Sequence, residues 1–191
     1  MRINKPKNEN YAAVVVEIKT LLPLAGCDNV QAAIIMGNQV IVPKTTQVGE
    51  IGLYFPLETQ LSEVYLNHNN LYRKKEFNAD PTQSGYFEEN GRVRCIKFRG
   101  QHKSEGFYMP LTSLTMVSQF ELNVGDCFDE LNGIEICRKY VIKKQNTPGA
   151  PGSKKTKKLK KYESKLVDNQ FRFHQDTLCV DFYRNVKSFI G

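Results

Sequence analysis

Long apolar runs are missing from this sequence. The longest, residues 12–16 and 32–36, span five residues each, whereas a helix that crosses a membrane needs about 20. Residues 1–6 contain no apolar stretch of the kind that marks a secretory signal. We therefore expect a cytoplasmic protein with no membrane partner.

Histidine and paired cysteines are also scarce. The sequence has three histidines, and its five cysteines have no C-x-x-C spacing, so it supports neither a zinc site nor a disulfide framework. No P-loop, G-x-S-x-G, H-E-x-x-H or dinucleotide-binding motif is present. We expect reduced, mostly buried thiols and no metal site. The cysteines are Cys27, Cys95, Cys127, Cys137 and Cys179.

Positive charge is concentrated in one segment. The net charge is +7, yet residues 1–137 carry 13 Lys/Arg against 16 Asp/Glu, while residues 138–165 carry 11 against 1. The second segment contains Pro/Gly-rich linker chemistry and then a lysine run, which predicts a flexible, solvated linker. Such a run suits RNA contact, an import signal or a plain linker. We predict a module over 1–137, a Lys-rich linker over 138–165 and a docking tail over 166–191.

The first two-thirds of the chain predicts short strands separated by turn residues. Gly37-Asn38 is a two-residue connection typical of a tight hairpin. Residues 62–68 predict a short helix with Ser62 as its N-cap, and residues 67–90 predict a long polar surface loop with a functional or partly mobile role. This pattern favours a mainly β fold, an OB-fold-like five-stranded barrel with a short helix. The predicted strands are residues 12–18, 31–36, 39–42, 51–55, 92–99 and 106–111.

Residues 92–99 alternate basic and apolar side chains, as a half-buried strand does. Their basic residues suit phosphate contacts, although Arg92 and Arg94 differ in parity from Lys97 and Arg99, so a bulge or twist is needed to form one surface. Aromatic residues on neighbouring strands suit base stacking. The alternative is a solvated outer barrel face. The predicted nucleic-acid contacts are Arg92, Arg94, Lys97, Arg99, Lys103, Tyr54, Phe107 and Tyr108.

Two short patterns suggest catalysis without completing a site. Lys103-Ser104-Glu105-Gly106 is similar to the K-x-D-G tetrapeptide in which nucleotidyl-transferring ligases form a lysyl-adenylate. It carries Glu in place of Asp and is followed by no further motif of that chemistry. His174 and Asp176 lack a nucleophile or metal partner. We predict no catalytic residue in this chain.

Several stretches, in this order, resemble the N-terminal OB module of the Deinococcus-type ATP-dependent RNA ligase family. Those that carry the resemblance are residues 24–30, 40–42, 48–56, 91–100, 104–107, 109–111, 124–126 and 173–177, with Gly-Arg-Val-Arg-Cys-Ile-Lys-Phe-Arg-Gly at 91–100 and Phe-His-Gln-Asp-Thr at 173–177. The resemblance implies an RNA-binding module of an enzyme for RNA end joining and repair. It also implies ATP and Mg²⁺ as cofactors of the full ligase.

In that family the nucleophilic lysine follows the Phe-His-x-Asp-Thr-like stretch after a few more residues, and this sequence reaches Gly191 without such a lysine in a matching context. The resemblance therefore implies either a truncated or split ligase, partnered by a nucleotidyltransferase domain or subunit, or a relative that kept only the module. The expected partner is RNA: nicked, single-stranded or duplex. A standalone OB-fold RNA- or tRNA-binding protein and a non-catalytic protein-interaction adaptor remain as alternatives.

Overall fold

The protein is described here from a computed structural model, which describes residues 4–118 and 121–142. Most of the predicted Lys-rich linker and the whole of the predicted tail lie outside these residues. No helix within them is long and apolar enough to cross a lipid bilayer.

Within the described residues the chain forms many short strands and one α-helix, with three short 3-10 turns at Glu9–Tyr11, Lys75–Phe77 and Leu111–Leu114. The first seven elements are β1 (Ala13–Glu17), β2 (Leu21–Pro23), β3 (Val30–Ile35), β4 (Asn38–Pro43), β5 (Ile51–Phe55), β6 (Thr59–Leu61) and α1 (Glu63–His68). The remaining elements are β7 (Ile96–Phe98), β8 (His102–Ser104), β9 (Phe107–Pro110), β10 (Cys127–Phe128), β11 (Glu130–Leu131), β12 (Ile134–Glu135) and β13 (Cys137–Lys139).

Two antiparallel sheets carry most of the structure. One has the strand order β10-β1-β5-β9 and the other β2-β3-β4, while β6–β13, β7–β8 and β11–β12 form two-stranded pairs. Strands β1 and β5 are rich in β-branched and aromatic residues that fit a pleated, buried surface. Their side chains alternate between two cores, because successive residues of a strand point to opposite faces.

The larger core lies on one face of the first sheet. Val15, Leu53 and Phe55 pack there against Tyr65 of α1 and against Phe128. The second core lies between the two main sheets and combines small and β-branched residues of β3 and β4 with two buried tyrosines. Its members are Val16, Ile18, Ala33, Ile35, Val40, Val42, Tyr54 and Tyr108. The two cores therefore lie on opposite faces of β5 and β9.

The predicted hairpin and helix are both present. The hairpin joins β3 to β4 with Ile35 opposite Asn38, so the turn residues are Met36 and Gly37, one position earlier than predicted. Both have positive φ, 50° and 82°, which is the geometry of a type I′ turn. The helix α1 begins after Ser62, whose side chain accepts a hydrogen bond from Tyr65 N as an N-cap.

Two glycines allow tyrosines to lie flat against neighbouring backbone. A Cβ on Gly52 would lie 2.5 Å from the Tyr108 hydroxyl, and one on Gly106 would lie 2.4 Å from Cε2 of Tyr54. Each glycine lies two residues before a tyrosine, and that tyrosine covers the glycine of the other segment: Tyr108 covers Gly52, and Tyr54 covers Gly106. Only glycine leaves room for this arrangement.

The mainly β fold with one short helix is confirmed, whereas no closed five-stranded barrel occurs among residues 4–118 and 121–142. The predicted strand 92–99 is interrupted, which explains part of the difference. Arg92 forms an isolated bridge with Gln60, and Val93 exchanges backbone hydrogen bonds with Glu58 and Thr59. Ile96–Phe98 pairs instead with β8. The irregular residues 93–95 redirect the chain between these two partners.

Residues 67–90 lie on the surface as predicted but are joined to the core at several points. Asn78 is buried, and its side chain bonds both backbone groups of Tyr72 and the carbonyl of Gln83. Tyr72 forms a bridge with Phe87, and both side chains enter the larger core. The segment is therefore a structured excursion from the sheets, stabilised by its own polar contacts.

Candidate nucleic-acid interface

The β7–β8 hairpin presents the most basic stretch of the described chain. Lys97 lies opposite Lys103 in the register of the two strands, so both side chains project from the same face, and both are exposed. Like charges directly opposite each other destabilise a strand pair. Residues 92–103 contain five Lys/Arg and no Asp/Glu, so this face offers closely spaced cations to a polyanion.

The other face of the hairpin is anchored to the protein. Phe98 packs against a small cluster that includes Leu24 and Ala32. The Arg99 guanidinium donates to the carbonyl of Gly26, and His102 Nε2 lies 3.0 Å from the carbonyl of Ala25. These contacts fix the hairpin, so Lys97 and Lys103 are held on a defined surface rather than on a free loop.

The Lys103 amine forms an ion pair with Glu105, 2.7 Å away. The hydrogen bond to Glu105 raises the pKa of Lys103 above its ordinary value. A protonated ammonium is a good phosphate ligand but a poor nucleophile, because a lysine nucleophile must lose its proton. This environment opposes a lysyl-adenylate in the Lys-Ser-Glu-Gly tetrapeptide, and a phosphate at the Lys103 amine competes with the Glu105 carboxylate.

Arg92 is separated from the basic hairpin face and is already paired. Its guanidinium lies 2.7 Å from the Glu58 carboxylate and stacks at 4.7 Å on the Tyr140 ring. The hydrogen bond to Glu58 raises the pKa of Arg92. A guanidinium engaged on both sides contributes little to attracting an external phosphate. Arg92 links Glu58, which precedes β6, to Tyr140, which follows β13.

Two of the three aromatic residues predicted to stack on bases are buried. Tyr54 and Tyr108 are 3% and 6% exposed. Tyr54 donates to the carbonyl of Glu105 and Tyr108 to the Glu50 carboxylate; burial raises the pKa of both tyrosines. A buried ring offers no face to a base, so the predicted stacking role is wrong for this pair. The sequence signal for this burial is Gly-x-Tyr at 52–54 and 106–108, because each glycine leaves room for the tyrosine ring of the other segment.

Phe107 is half-buried and belongs mainly to the core. Its ring meets Phe87 edge-on at 4.8 Å and lies 6.3 Å from Phe55. An exposed aromatic residue that the sequence interpretation missed is Tyr86, which is 38% exposed. Burial raises its pKa, while the nearby charges of Arg94 and Arg73 lower it. Tyr86 lies in the segment interpreted as a polar loop, and only its proximity to exposed Arg94 marks it as a candidate.

No group of three or more His, Cys, Asp or Glu side chains in the described ranges is arranged to hold a metal ion. Tyr86, Arg94, Lys97 and Lys103 all have exposed side chains.

No family model matches this chain, and no curated protein matches it. Among solved structures, a Naegleria gruberi RNA ligase variant with ATP and Mn has a TM-score of 0.50 at 20% identity, covering 70% of this chain and 36% of that one. The same enzyme with PPi has a TM-score of 0.49 at 20% identity, covering 70% of this chain and 36% of that one. A variant with AMP and Mn has a TM-score of 0.45 at 20% identity, covering 67% of this chain and 34% of that one.

The chain thus spans about a third of the length of the solved structures that it matches. The likeness to the first of them concerns the fold alone, because the identity is 20%. The described residues therefore have a fold similar to part of an RNA ligase.

Proposed function

We propose that this protein binds RNA through the hairpin face that presents Lys97 and Lys103, with Arg94 as a further phosphate contact and Tyr86 as a stacking residue. The observation that carries the proposal is the pairing of Lys97 with Lys103 on one exposed, anchored hairpin face. Like charges opposite each other repel, and here Glu105 offsets this repulsion only at the Lys103 amine. Phosphate groups between the two amines remove that repulsion and release counterions.

We further propose that the module serves RNA end joining, as the OB-type RNA-binding module of an RNA ligase of the Deinococcus type. In this proposal a nucleotidyltransferase domain or subunit uses ATP and Mg²⁺ to adenylate the RNA 5′-phosphate, while the module holds the RNA end. The sequence resemblance supports this proposal, and the fold likeness to part of a ligase agrees with it. No step of the adenylation chemistry is assigned to residues of this chain.

The test compares two double variants of the full chain. Lys97→Ala with Lys103→Ala removes both hairpin amines, and Lys19→Ala with Lys44→Ala removes two exposed amines elsewhere. Binding of a fluorescein-labelled single-stranded RNA is followed by anisotropy from about 50 to 200 mM salt. We expect the hairpin variant alone to reduce the slope of log affinity against log salt by roughly 1 to 2.

The Lys-rich run is the same in both variants, so its contribution to RNA binding cancels in the comparison. An equal loss of affinity in the two variants would show that only overall charge matters and would contradict the proposed interface. Tyr86→Ala tests the stacking role separately. We expect it to lower affinity by about 1 to 3 kcal/mol without changing the salt slope, as loss of a stacked base does.

A standalone RNA- or tRNA-binding protein is the second candidate that the basic face supports. The two candidates differ in what they do in the presence of a ligase partner. We expect the ligase module to increase the rate at which a nucleotidyltransferase partner seals a nicked duplex, measured by gel analysis of labelled RNA. A standalone binder would leave that rate unchanged while binding the same RNA.

A further inference from the structure

A groove of about 620 Å³ lies between α1 and the segment that follows it. Helix α1 contributes Glu63, Val64 and Asn67 to its lining, and the 3-10 turn Lys75–Phe77 contributes Glu76 and Phe77. Tyr72 and Glu89 complete it. None of these residues belongs to the basic hairpin face, so the groove is a separate feature of the surface.

The walls of the groove are connected by direct hydrogen bonds. Asn67 Nδ2 donates to the carbonyl of Phe77 over 2.7 Å, and Ala79 N donates to the carbonyl of Asn67. The N-cap of Ser62 fixes the start of α1. A ligand that enters the groove therefore meets a preformed surface and loses little free energy to ordering it.

The groove is negatively charged. Three carboxylates line it, and of these only Glu89 forms an ion pair, with Lys74, among the residues described. Burial is the main cause of the raised pKa of Tyr72, and the charges of Glu63 and Glu89 raise it further. The field of the carboxylates thus reaches the inner wall, where it favours a cation and opposes a phosphate backbone.

The groove also exposes apolar surface. Val64 is 58% exposed and Phe77 is 39% exposed. The Phe77 ring is held edge-on against Tyr72, with centroids 5.6 Å apart. Exposed apolar residues rimmed by charge are typical of surfaces that bind another molecule.

The Tyr72 hydroxyl is open to a ligand in the groove. Tyr72 as a whole is 5% exposed and lines the groove. Within residues 4–118 and 121–142 its hydroxyl makes no hydrogen bond, although the backbone of the same residue is fully engaged with Asn78. The hydroxyl is not enclosed, since Thr59 Oγ1 is the one buried side-chain oxygen or nitrogen without a partner in the described residues. A molecule in the groove can therefore form a hydrogen bond with it.

We propose that this groove binds a basic peptide segment of a partner protein, in which lysines or arginines alternate with an apolar residue. The ammonium groups pair with Glu63 and Glu76, the apolar side chain contacts Val64 and Phe77, and the Tyr72 hydroxyl bonds the peptide. The geometry is that of a short amphipathic segment in a groove. This inference does not depend on RNA binding, because the two surfaces share no residue.

The test uses the full chain and a fluorescein-labelled Lys-Leu-Lys-Lys-Leu-Lys peptide, with binding followed by anisotropy at low salt. Glu63→Gln with Glu76→Gln removes two groove charges, and Glu17→Gln with Glu121→Gln removes two exposed charges that do not line the groove. We expect the groove variant to bind the peptide at least fivefold more weakly. We expect the control variant to stay within twofold of the unmodified protein.

Tyr72→Phe removes only the hydroxyl group and so tests whether it contacts the peptide. If the hydroxyl is directed at a ligand, the variant loses about threefold in peptide affinity and keeps the melting temperature of the parent protein. A lower melting temperature with unchanged peptide affinity would assign the hydroxyl to folding and count against the proposal.

Three other results would overturn the inference. Equal weakening in the groove and control variants would mean that the peptide senses only net charge. Equally tight binding of an all-lysine peptide, or equal competition by spermine, would mean that no apolar anchor is recognised. Unchanged peptide affinity in the Glu63→Gln, Glu76→Gln variant would mean that neither carboxylate contacts the peptide.

Discussion

The hydroxyl of Thr59 shows that the structure tolerates an unpaired polar atom in its core. Thr59 is 0% exposed, and its Oγ1 has no hydrogen-bond partner in the part of the chain that the structure describes. The residue pairs with Lys139 between β6 and β13, where a β-branched side chain packs well. Ser113, by contrast, is a buried hydroxyl that is used, since it accepts a hydrogen bond from Tyr65 over 2.7 Å.

Thr59→Val replaces the unpaired hydroxyl with a methyl group of similar shape. We expect the free energy of unfolding to stay the same or rise by about 1 kcal/mol, because a desolvated group without a partner is removed. Ser113→Ala is the matched control, and we expect it to lower stability by about 1 to 2 kcal/mol because it leaves Tyr65 without its partner. Urea denaturation measures both. A loss in Thr59→Val as large as in Ser113→Ala would mean that Thr59 has a partner.

At the scale of the element, the segment between α1 and β7 depends on one buried amide. Asn78 bonds Tyr72 N, the Tyr72 carbonyl and the Gln83 carbonyl, each over 2.9 Å. These bonds satisfy backbone groups that no strand ladder reaches. The segment therefore acquires a fixed shape without regular secondary structure.

Asn78→Ala removes all three bonds at once. We expect a loss of about 3 kcal/mol in the free energy of unfolding, since each buried bond contributes roughly 1 kcal/mol and the groups left behind are desolvated. Limited proteolysis should then cut first within residues 72–87. Asn10→Ala, an exposed position, is the control and should change neither property. Cleavage that begins elsewhere would show that Asn78 does not hold this segment.

Local sequence patterns predicted some elements well because their signals are local. The Ser62 cap of α1 and the hairpin near Gly37 depend on residues that are adjacent in sequence. The break at residues 93–95 is different, since Val93 pairs with Glu58 and Thr59 while Ile96 pairs with Ser104. Alternation of side chains does not reveal that two halves of one run have different partners.

The candidate site was predicted in part for the same reason. The exposure of Lys97 and Lys103 was predictable from the alternation of basic and apolar side chains and from their own charge. Arg92 has the same sequence pattern. Its pairing with Glu58, however, depends on a contact 34 positions away in sequence. Tyr54 and Tyr108 are buried because glycines on neighbouring strands make room for them, which is a tertiary feature.

At the scale of the whole molecule, charge is distributed unevenly. Residues 1–137 have a net charge of −3 by the count of 13 Lys/Arg and 16 Asp/Glu, yet they contain a basic hairpin face and an acidic groove. A weakly negative body does not steer a polyanion over long distances. The RNA binding proposed for this part of the chain would therefore depend on contacts within about one Debye length, roughly 10 Å at 0.1 M salt.

Thiol reactivity reports on the integrity of the whole folded unit. Cys95 is exposed, whereas Cys137 is buried in the larger core, where desolvation raises the pKa of its thiol to about 12. A raised pKa means that the thiolate is lost as pH falls below it, so at pH 8 roughly one Cys137 in 10⁴ is ionised.

We expect iodoacetamide at pH 8 to alkylate Cys95 within minutes while Cys137 stays unmodified until urea unfolds the protein. Peptide mapping by mass spectrometry separates the sites, including Cys179. Cys95→Ser provides the control for assignment. Modification of Cys137 at the rate of Cys95 in the absence of urea would show that the larger core opens readily.

The reciprocal cover of Gly52 by Tyr108 and of Gly106 by Tyr54 has a consequence for how this protein tolerates change. A Cβ at Gly52 would lie 2.4 Å from the Met109 carbonyl oxygen as well as against the Tyr108 ring, and Gly106 has a φ of +132°, which L side chains rarely adopt. A smaller residue in place of either tyrosine therefore makes no room for a side chain at the glycine, so homologues are expected to keep glycine at 52 and 106 even where the residues at 54 and 108 differ.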